Sequence, residues 1–248
     1  MFYLIIMRNR KIHIFLASLI FAISLVCCQD DATDNIIIEK DVPAVNTIDV
    51  FDDINIILYP GTTYRINIDA PEDLIDNIIA DTVAGSLHIK NNNKFNWMHY
   101  LDSVKVHVFF GNRVVTIHSQ GTGCISTFDT LRSDYIMFYA FNGGGIFKMD
   151  VKANIVSVIS HSYTTTDFTI SGTANALSSH AKGMGKIKLE NLLVKKADII
   201  YNGTNEYFIN VSEELKVNLL NAGNVYCYGN PDSINLSMEG EGKLILLE

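Results

Sequence analysis

Three histidines, His118, His161 and His180, and two carboxylates, Asp150 and Glu190, are the groups whose type and spacing could do chemistry. Imidazoles gathered in one row could bind a metal ion. A structural zinc site takes four ligands, however, and no cysteine or carboxylate joins these three in the pattern. Stacked side chains on an outer strand face are the plainer expectation, with no metal. Asp150 and Glu190 could act as paired acids on a sugar polymer, which needs carboxyl groups about 5–9.5 Å apart around a cleft. The repeat described below puts them two coils apart, roughly 10 Å, in a column that also holds Ser171 and Asn210, a turn composition. No Ser-His-Asp order, phosphate-binding loop or zinc-helix motif appears. The chain is expected to be non-catalytic and without a cofactor. A glycan-active enzyme is the catalytic alternative.

The elements that must position these groups follow from composition and period. The chain has 248 residues, 48% apolar, with a net charge of −8, enough for one sizeable core. No basic patch or Lys/Arg run interrupts the chain after residue 28, so nucleic acid is not an expected partner. Four prolines and 16 glycines argue against bulk disorder. Abundant Val, Ile, Thr, Tyr and Phe favour strands.

The first 28 residues read as a targeting segment. Arg8, Arg10 and Lys11 precede an uncharged apolar run from Ile14 to Val26, which ends in Leu25-Val26-Cys27-Cys28. That order is secretory, and its end resembles a bacterial lipobox with Leu25 at −3 and lipid attachment at Cys28. Cys27 is the alternative acceptor and Met7 an alternative start. The apolar run is short for a membrane-spanning helix, which needs about 20 residues. Cleavage before Cys28 removes three cations and no acid, so the exported part is more acidic still. Lipid on Cys28 would anchor it to a membrane, in the cell envelope and most simply at the outer membrane. Gln29-Asp30-Asp31 is similar to the surface-export signal of some Gram-negative lipoproteins, or is simply a solvated tether. Residues 29–45 read as an acidic linker, followed by one domain over 46–248.

Strand-like runs follow at Thr47–Phe51, Ile54–Tyr59, Tyr64–Asp69, Ser86–Lys90 and Val104–Phe110, several alternating apolar with polar. Pro60-Gly61 predicts a turn. Pro71-Glu72-Asp73 predicts a helix start, running to about Ala80. From about residue 114 to 248 a pattern recurs about every 20 residues, the spacing of a solenoid rung. Its centre is a Gly-x-Gly or close variant, at 121–123, 143–145, 164–166, 183–185, 203–205, 221–223 and 240–242. Glycine and asparagine tolerate φ > 0, which suits a tight corner. Two residues after each corner come Ile125, Phe147, Phe168, Ile187, Tyr207, Val225 and Leu244, with a second, mostly apolar set two further on. A matching pair precedes each corner, for example Met137/Tyr139, Val158/Ser160 and Ile199 with Ala197. Alternate strand residues share a face, so each coil points two pairs inward and only stacking buries them. A sandwich of hairpins is the rival geometry. The expected fold is an all-β solenoid with extra N-terminal strands and one short helix.

Phe51-Asp52-Asp53-Ile54-Asn55, the Gly-x-Gly corners and Ala222-Gly223-Asn224-Val225-Tyr226-Cys227-Tyr228-Gly229-Asn230-Pro231 together resemble the auto-transporter adhesin head GIN domain family over about residues 46 to 248. The resemblance implies a right-handed β-helix-like fold in exported proteins, often lipoproteins. It carries no catalytic signature.

Two further cysteines, Cys124 and Cys227, fall on the first and sixth coils, roughly 24 Å apart at one strand spacing per coil. A disulfide needs Cα atoms within about 7 Å, so none is expected. An outward column ends in Phe208, Tyr226 and Ile245; left open, such a stripe would be a contact surface, and the alternative is that the N-terminal strands cover it. Asp81-Thr82-Val83, Asp102-Ser103-Val104, Asp129-Thr130-Leu131 and Asp232-Ser233-Ile234 resemble a bacterial O-glycosylation sequon. The leading expectation is a non-catalytic cell-envelope lipoprotein presenting a binding surface to a protein or glycan, adhesin-like, with a second copy of itself among the expected partners. The alternative is a structural or regulatory envelope protein that contacts another protein of the same cell.

Overall fold

The computed structural model describes residues 35–94, 104–111 and 116–247. The signal segment, Cys28 and residues 29–34 lie outside them. Among the described residues no helix is long and apolar enough to cross a membrane.

The repeat folds as parallel coils. β10 (Leu131–Ala140), β11 (Ile146–Ser160), β12 (Asp167–Ala181), β13 (Ile187–Tyr201) and β14 (Tyr207–Leu219) lie side by side in parallel register, followed by β15 (Val225–Tyr228), β16 (Ser233–Met238) and β17 (Leu244–Leu246). Each of β11 to β13 turns over a bend at its middle. In β11 the buried set is Phe147, Met149 and Val151, then Val156, Val158 and Ser160. The change of parity marks the bend, since a residue that does not alternate moves the side chains to the other face.

The predicted column is continuous. Ile125, Phe147, Phe168, Ile187, Tyr207, Val225 and Leu244 are successive cross-strand partners. All but Leu244 are at most 2% exposed. The Phe147 and Phe168 rings stack at 5.0 Å and 7°. The column before the corners is equally continuous, through Ile117, Phe138, Val158, Ser179, Ile199 and Val217. On the last coil Ile234 and Leu236 keep the register with Leu215 and Val217 but are 41% and 39% exposed, because no further coil covers them. One coil departs from the predicted parity. In β10 it is Ile136, Phe138 and Ala140 that are buried, while Met137 and Tyr139 face outward. The corner after β10 begins with Phe141-Asn142, and Asn142 adopts a left-handed φ of 53°; this corner is one residue longer than the one after β8, which reverses the faces, while the corner after β11 is longer by a second residue and restores them.

The corner glycines serve a purpose other than the one expected. None of them has positive φ; only Gly85, Gly172 and Gly229 do. They are needed because coils stack backbone against backbone. A Cβ on Gly121 would strike the Asp52 carbonyl, on Gly123 that of Ile54, and on Gly185 that of Thr166. The third corner uses threonines and satisfies itself differently. Thr164 Oγ1 donates to the Gly143 carbonyl at 2.7 Å and lies 2.8 Å from Thr166 Oγ1, so both hydroxyls are buried and bonded.

Coils also extend N-terminal to residue 114, in an order that the sequence does not follow. β2 (Thr47–Asp52) and β3 (Asn55–Gly61) form one rung, β6 (Ser86–Asn91) and β7 (Lys105–Gly111) another, and β8 (Thr116–Gly121) and β9 (Cys124–Thr127) a third. The first rung in sequence lies between the other two: β2 pairs in parallel with β6 and β8, and β3 with β7 and β9. Antiparallel strands close this end. β4 (Arg65–Pro71) lies between β7 and β1 (Asn35–Asp41), and β5 (Ile78–Val83) pairs with β6. Residues 35–41, read from composition as linker, are thus an exposed strand. The predicted helix shortens to α1 (Glu72–Ile75), which buries Leu74 and Ile75; Ile78 and Ala80 alternate into the core as part of β5 instead.

Two buried tyrosines offer a test of the interior. Tyr201 and Tyr207 meet edge to face at 5.3 Å. Tyr201 Oη donates to the Asn205 carbonyl at 2.7 Å, whereas Tyr207 Oη and Ser179 Oγ are buried without a well-formed bond. Burial pushes the Tyr201 phenol up to about 12 and raises that of Tyr207 as well. An unfolded tyrosine ionises near 10. The folded state therefore keeps protons that the unfolded state has lost, and stability falls as pH rises from about 10 through about 12. Tyr207→Phe should be neutral or stabilising by about 1 kcal/mol, because an unsatisfied buried hydroxyl leaves the core. It should also flatten the alkaline limb of a Tm-against-pH curve. A loss of more than about 1 kcal/mol would mean that the hydroxyl is bonded.

Candidate binding surfaces

With the core columns fixed, the intervening residues of each strand face outward and form rows of their own. One row places Phe208, Tyr226 and Ile245 in consecutive register on β14, β15 and β17. Phe208 and Tyr226 stack at 4.9 Å and 18°, and all three residues are half-buried. Towards the other end the same row turns polar, through Lys188 on β13 and Lys148 on β11. The strands and helix that were candidates to cover the stripe pack at the opposite end of the stack.

A second aromatic group was not foreseen. On β7, on β3 and just past β9 the rings of Phe109, Tyr59 and Phe128 stack one on the next, at 4.6 and 4.8 Å. The Arg65 guanidinium closes one end, 4.5 Å from the Phe109 centroid. Phe128 closes the other and is 67% exposed. The three rings share no sequence spacing, because the inserted rung brings them together.

The histidines do not form one row. His118 stands beside Tyr139, which leads through Ile159 to His180, while His161 lies past the end of β11, against Phe141. His118 Nδ1 meets Asp49 Oδ1 at 2.6 Å, and His88 Nε2 meets the other oxygen at 3.2 Å. Asp49 is thereby spent on tying β2 to β6 and β8. His180 is exposed, and its pKa is lowered by partial desolvation and by Lys182 and His161. Among the described residues no group of three His, Cys, Asp or Glu is placed to hold a metal ion.

The two carboxylates are separated as well. Asp150 accepts from Thr130 and, at 3.2 Å, from Ser171 Oγ, the next residue in its row. Glu190 lies within an irregularity of the β12–β13 register, between Lys188 and Leu192, and keeps one buried carboxylate oxygen without a partner. Asp150 works as a bend-holding group in this arrangement and does not face Glu190 across a cleft. Cys124 and Cys227 stand on β9 and β15, in no disulfide, and burial raises the Cys227 thiol pKa. Of the sequon-like tripeptides, Thr130 is bonded to Asp150 beside the buried Leu131, Thr82 is half-buried and Ser233 is exposed. Asp102 and Ser103 lie outside the described residues.

Residues 44–231 match the family described as "Putative auto-transporter adhesin, head GIN domain". The chain belongs to this family. The head GIN fold recurs in a solved structure of a putative adhesin from Bacteroides fragilis NCTC 9343, 20% identical, covering 86% of this chain and 97% of that one with a TM-score of 0.78. A putative adhesin from Parabacteroides distasonis ATCC 8503 is 13% identical, with coverage of 87% and 98% and a TM-score of 0.65. A protein of the same organism described as a putative lipid binding protein is 15% identical, with coverage of 87% and 97% and a TM-score of 0.65. No curated protein matches. At these identities the likeness is one of fold, the stacked head GIN coils.

Proposed function

We propose that this head GIN protein is a non-catalytic, adhesin-like binding protein of the cell envelope, held to a membrane by lipid on Cys28. The Phe208–Tyr226–Ile245 stripe is its contact surface for another protein, including a second copy of itself. The supporting observation is the in-register stack of Phe208 on Tyr226 on the outer sheet face, since contiguous exposed apolar surface marks interaction sites. Family membership points the same way.

Protease shaving of intact cells tests the location: an adhesin is cleaved from outside, whereas a protein serving a partner inside the envelope is protected. Tyr226→Glu tests the surface. Placing a carboxylate in an aromatic anchor costs about 2 kcal/mol or more, so self-association measured by light scattering should weaken at least about 30-fold. An unchanged oligomer mass would count against the stripe.

A further inference from the structure

The bend in the middle of the long strands carries a second feature, separate from the apolar stripe. Two hollows of about 670 and 480 Å³ lie along it, both open to solvent. They share Lys152, Ala153 and Asn175, so they run together as one shallow groove across β10 to β14. Five neighbouring strands span about 19 Å.

The groove places two cations side by side at one end. Arg132 on β10 and Lys152 on β11 are direct cross-strand partners, and neither makes an ion pair among the described residues. Like charges placed opposite one another on a sheet are destabilising. On the following coils three lysines do have acidic partners: Lys186 lies 3.8 Å from Glu206, Lys195 lies 3.7 Å from Glu213, and Lys196 lies 3.3 Å from Glu214. A chain with 27 acidic residues thus leaves Arg132 and Lys152, direct cross-strand neighbours, without an acidic partner among the described residues. The charged groups facing the pair are Asp134, in the same hollow, and Asp150, already engaged by Thr130 and Ser171.

The rest of the lining mixes hydrogen-bonding groups with apolar ones, Leu193 the most exposed of these, and holds a third cation, Lys195, which is paired with Glu213. Asn175 Nδ2 donates to Asn154 Oδ1 at 2.8 Å, so two amides are stacked one coil apart along the floor. Asn210 lies in the Lys152 row, reached through Thr173 and Leu193, Ser212 lines the same hollow, and the Tyr135 ring, 37% exposed, stands at the far end. The backbone N–H and C=O groups here are already consumed between coils, so an acidic peptide could not add itself as a strand. Three cations in an acidic protein fall short of the phosphate neutralisation that drives nucleic-acid binding.

We infer that this groove binds a linear anionic glycan, with Arg132 and Lys152 contacting its carboxylate or sulfate groups and the amide row contacting its hydroxyls. The inference rests on the proposed binding role only in taking the outer surface as the working part of the molecule.

The test uses the purified full-length protein and four probes in calorimetric titrations: polygalacturonate, heparin, neutral dextran and poly-glutamate. Polygalacturonate or heparin should bind, weakening as salt is raised, and the tighter of the two tells whether a carboxylate or a sulfate is preferred. Dextran should not bind. Arg132→Gln combined with Lys152→Gln should weaken binding at least about 10-fold, while Tm stays level or rises because a like-charge contact is relieved. Lys152→Gln alone should show the same two changes in smaller measure. Tyr226→Glu should bind glycan as the wild type does, which separates failure of the groove from failure of the stripe. Failure of both anionic glycans to bind, undiminished binding by the double variant, or poly-glutamate binding as tight as either glycan would overturn the inference.

Discussion

Phe168→Ala is expected to lower stability by about 3–5 kcal/mol, the range for a buried phenylalanine truncated in a core that cannot collapse. Phe168 is 0% exposed and lies between Phe147 and Ile187 in the column after the corners, with its ring stacked flat on Phe147. Coils above and below are held at strand spacing by backbone bonds, so the void cannot close by settling. For a domain of this size the loss corresponds to about 10 °C or more in Tm. Because each coil touches only its neighbours, the damage should be local as well as global. Hydrogen exchange should accelerate first in β11 to β13, and a broadened melt would show the stack dividing at the defect. Phe168→Leu, which keeps most of the volume, should recover all but about 1.5 kcal/mol. If the alanine variant melts within a degree or two of wild type, the continuous column is not what holds the coils together.

Gly172→Ala should be nearly as damaging, for two independent reasons. Gly172 has φ of +114°, a conformation that L side chains rarely adopt, and a Cβ there would also strike the Val151 carbonyl on the preceding coil. The backbone strain alone is worth about 1–3 kcal/mol, and overpacking adds about as much again. The site lies where the β12–β13 register shifts, between Thr169 and Gly172, so relief by sliding would disturb the whole bend. The expected outcome is a Tm lower by about 8 °C or more, with exchange protection lost around residues 169–174. Wild-type melting would mean that the bend has an alternative packing.

Sequence pattern made the outer logic of the coils legible and left the close contacts hidden. The inward columns after the corners could be read because Ile125, Phe147, Phe168 and Ile187 keep one offset from a recognisable triplet. The column before the corners failed at Met137 and Tyr139, where Phe141-Asn142 lengthens one corner and reverses the faces. The corner glycines were recognised by position, but for the wrong reason: they lack room for a Cβ and have no need of positive φ. Gly172, which does need it, sits outside every triplet and gave no signal. The two candidate surfaces differ in the same way. Phe208, Tyr226 and Ile245 share an offset and were seen, although their role is still a proposal. Arg132 and Lys152 are twenty residues apart, so no linear window contains both, and only the stack makes them neighbours. The Phe109–Tyr59–Phe128 ladder and the His88–Asp49–His118 bridge were beyond reach altogether, because both depend on a rung placed out of sequence order.

That rung has a consequence for how the molecule is made. Since β2–β3 is gripped on both sides by strands that come later in the chain, contacts such as His118 with Asp49 join residues 69 positions apart. The β2–β3 rung must therefore wait for its first flank until the chain has passed Gly111 and for its second until it has passed Thr127. The three rungs then close through non-local contacts, slow by the usual relation between contact distance and folding rate. From that kernel onward each new coil needs only the one before it as a template, and growth towards the C-terminus becomes sequential.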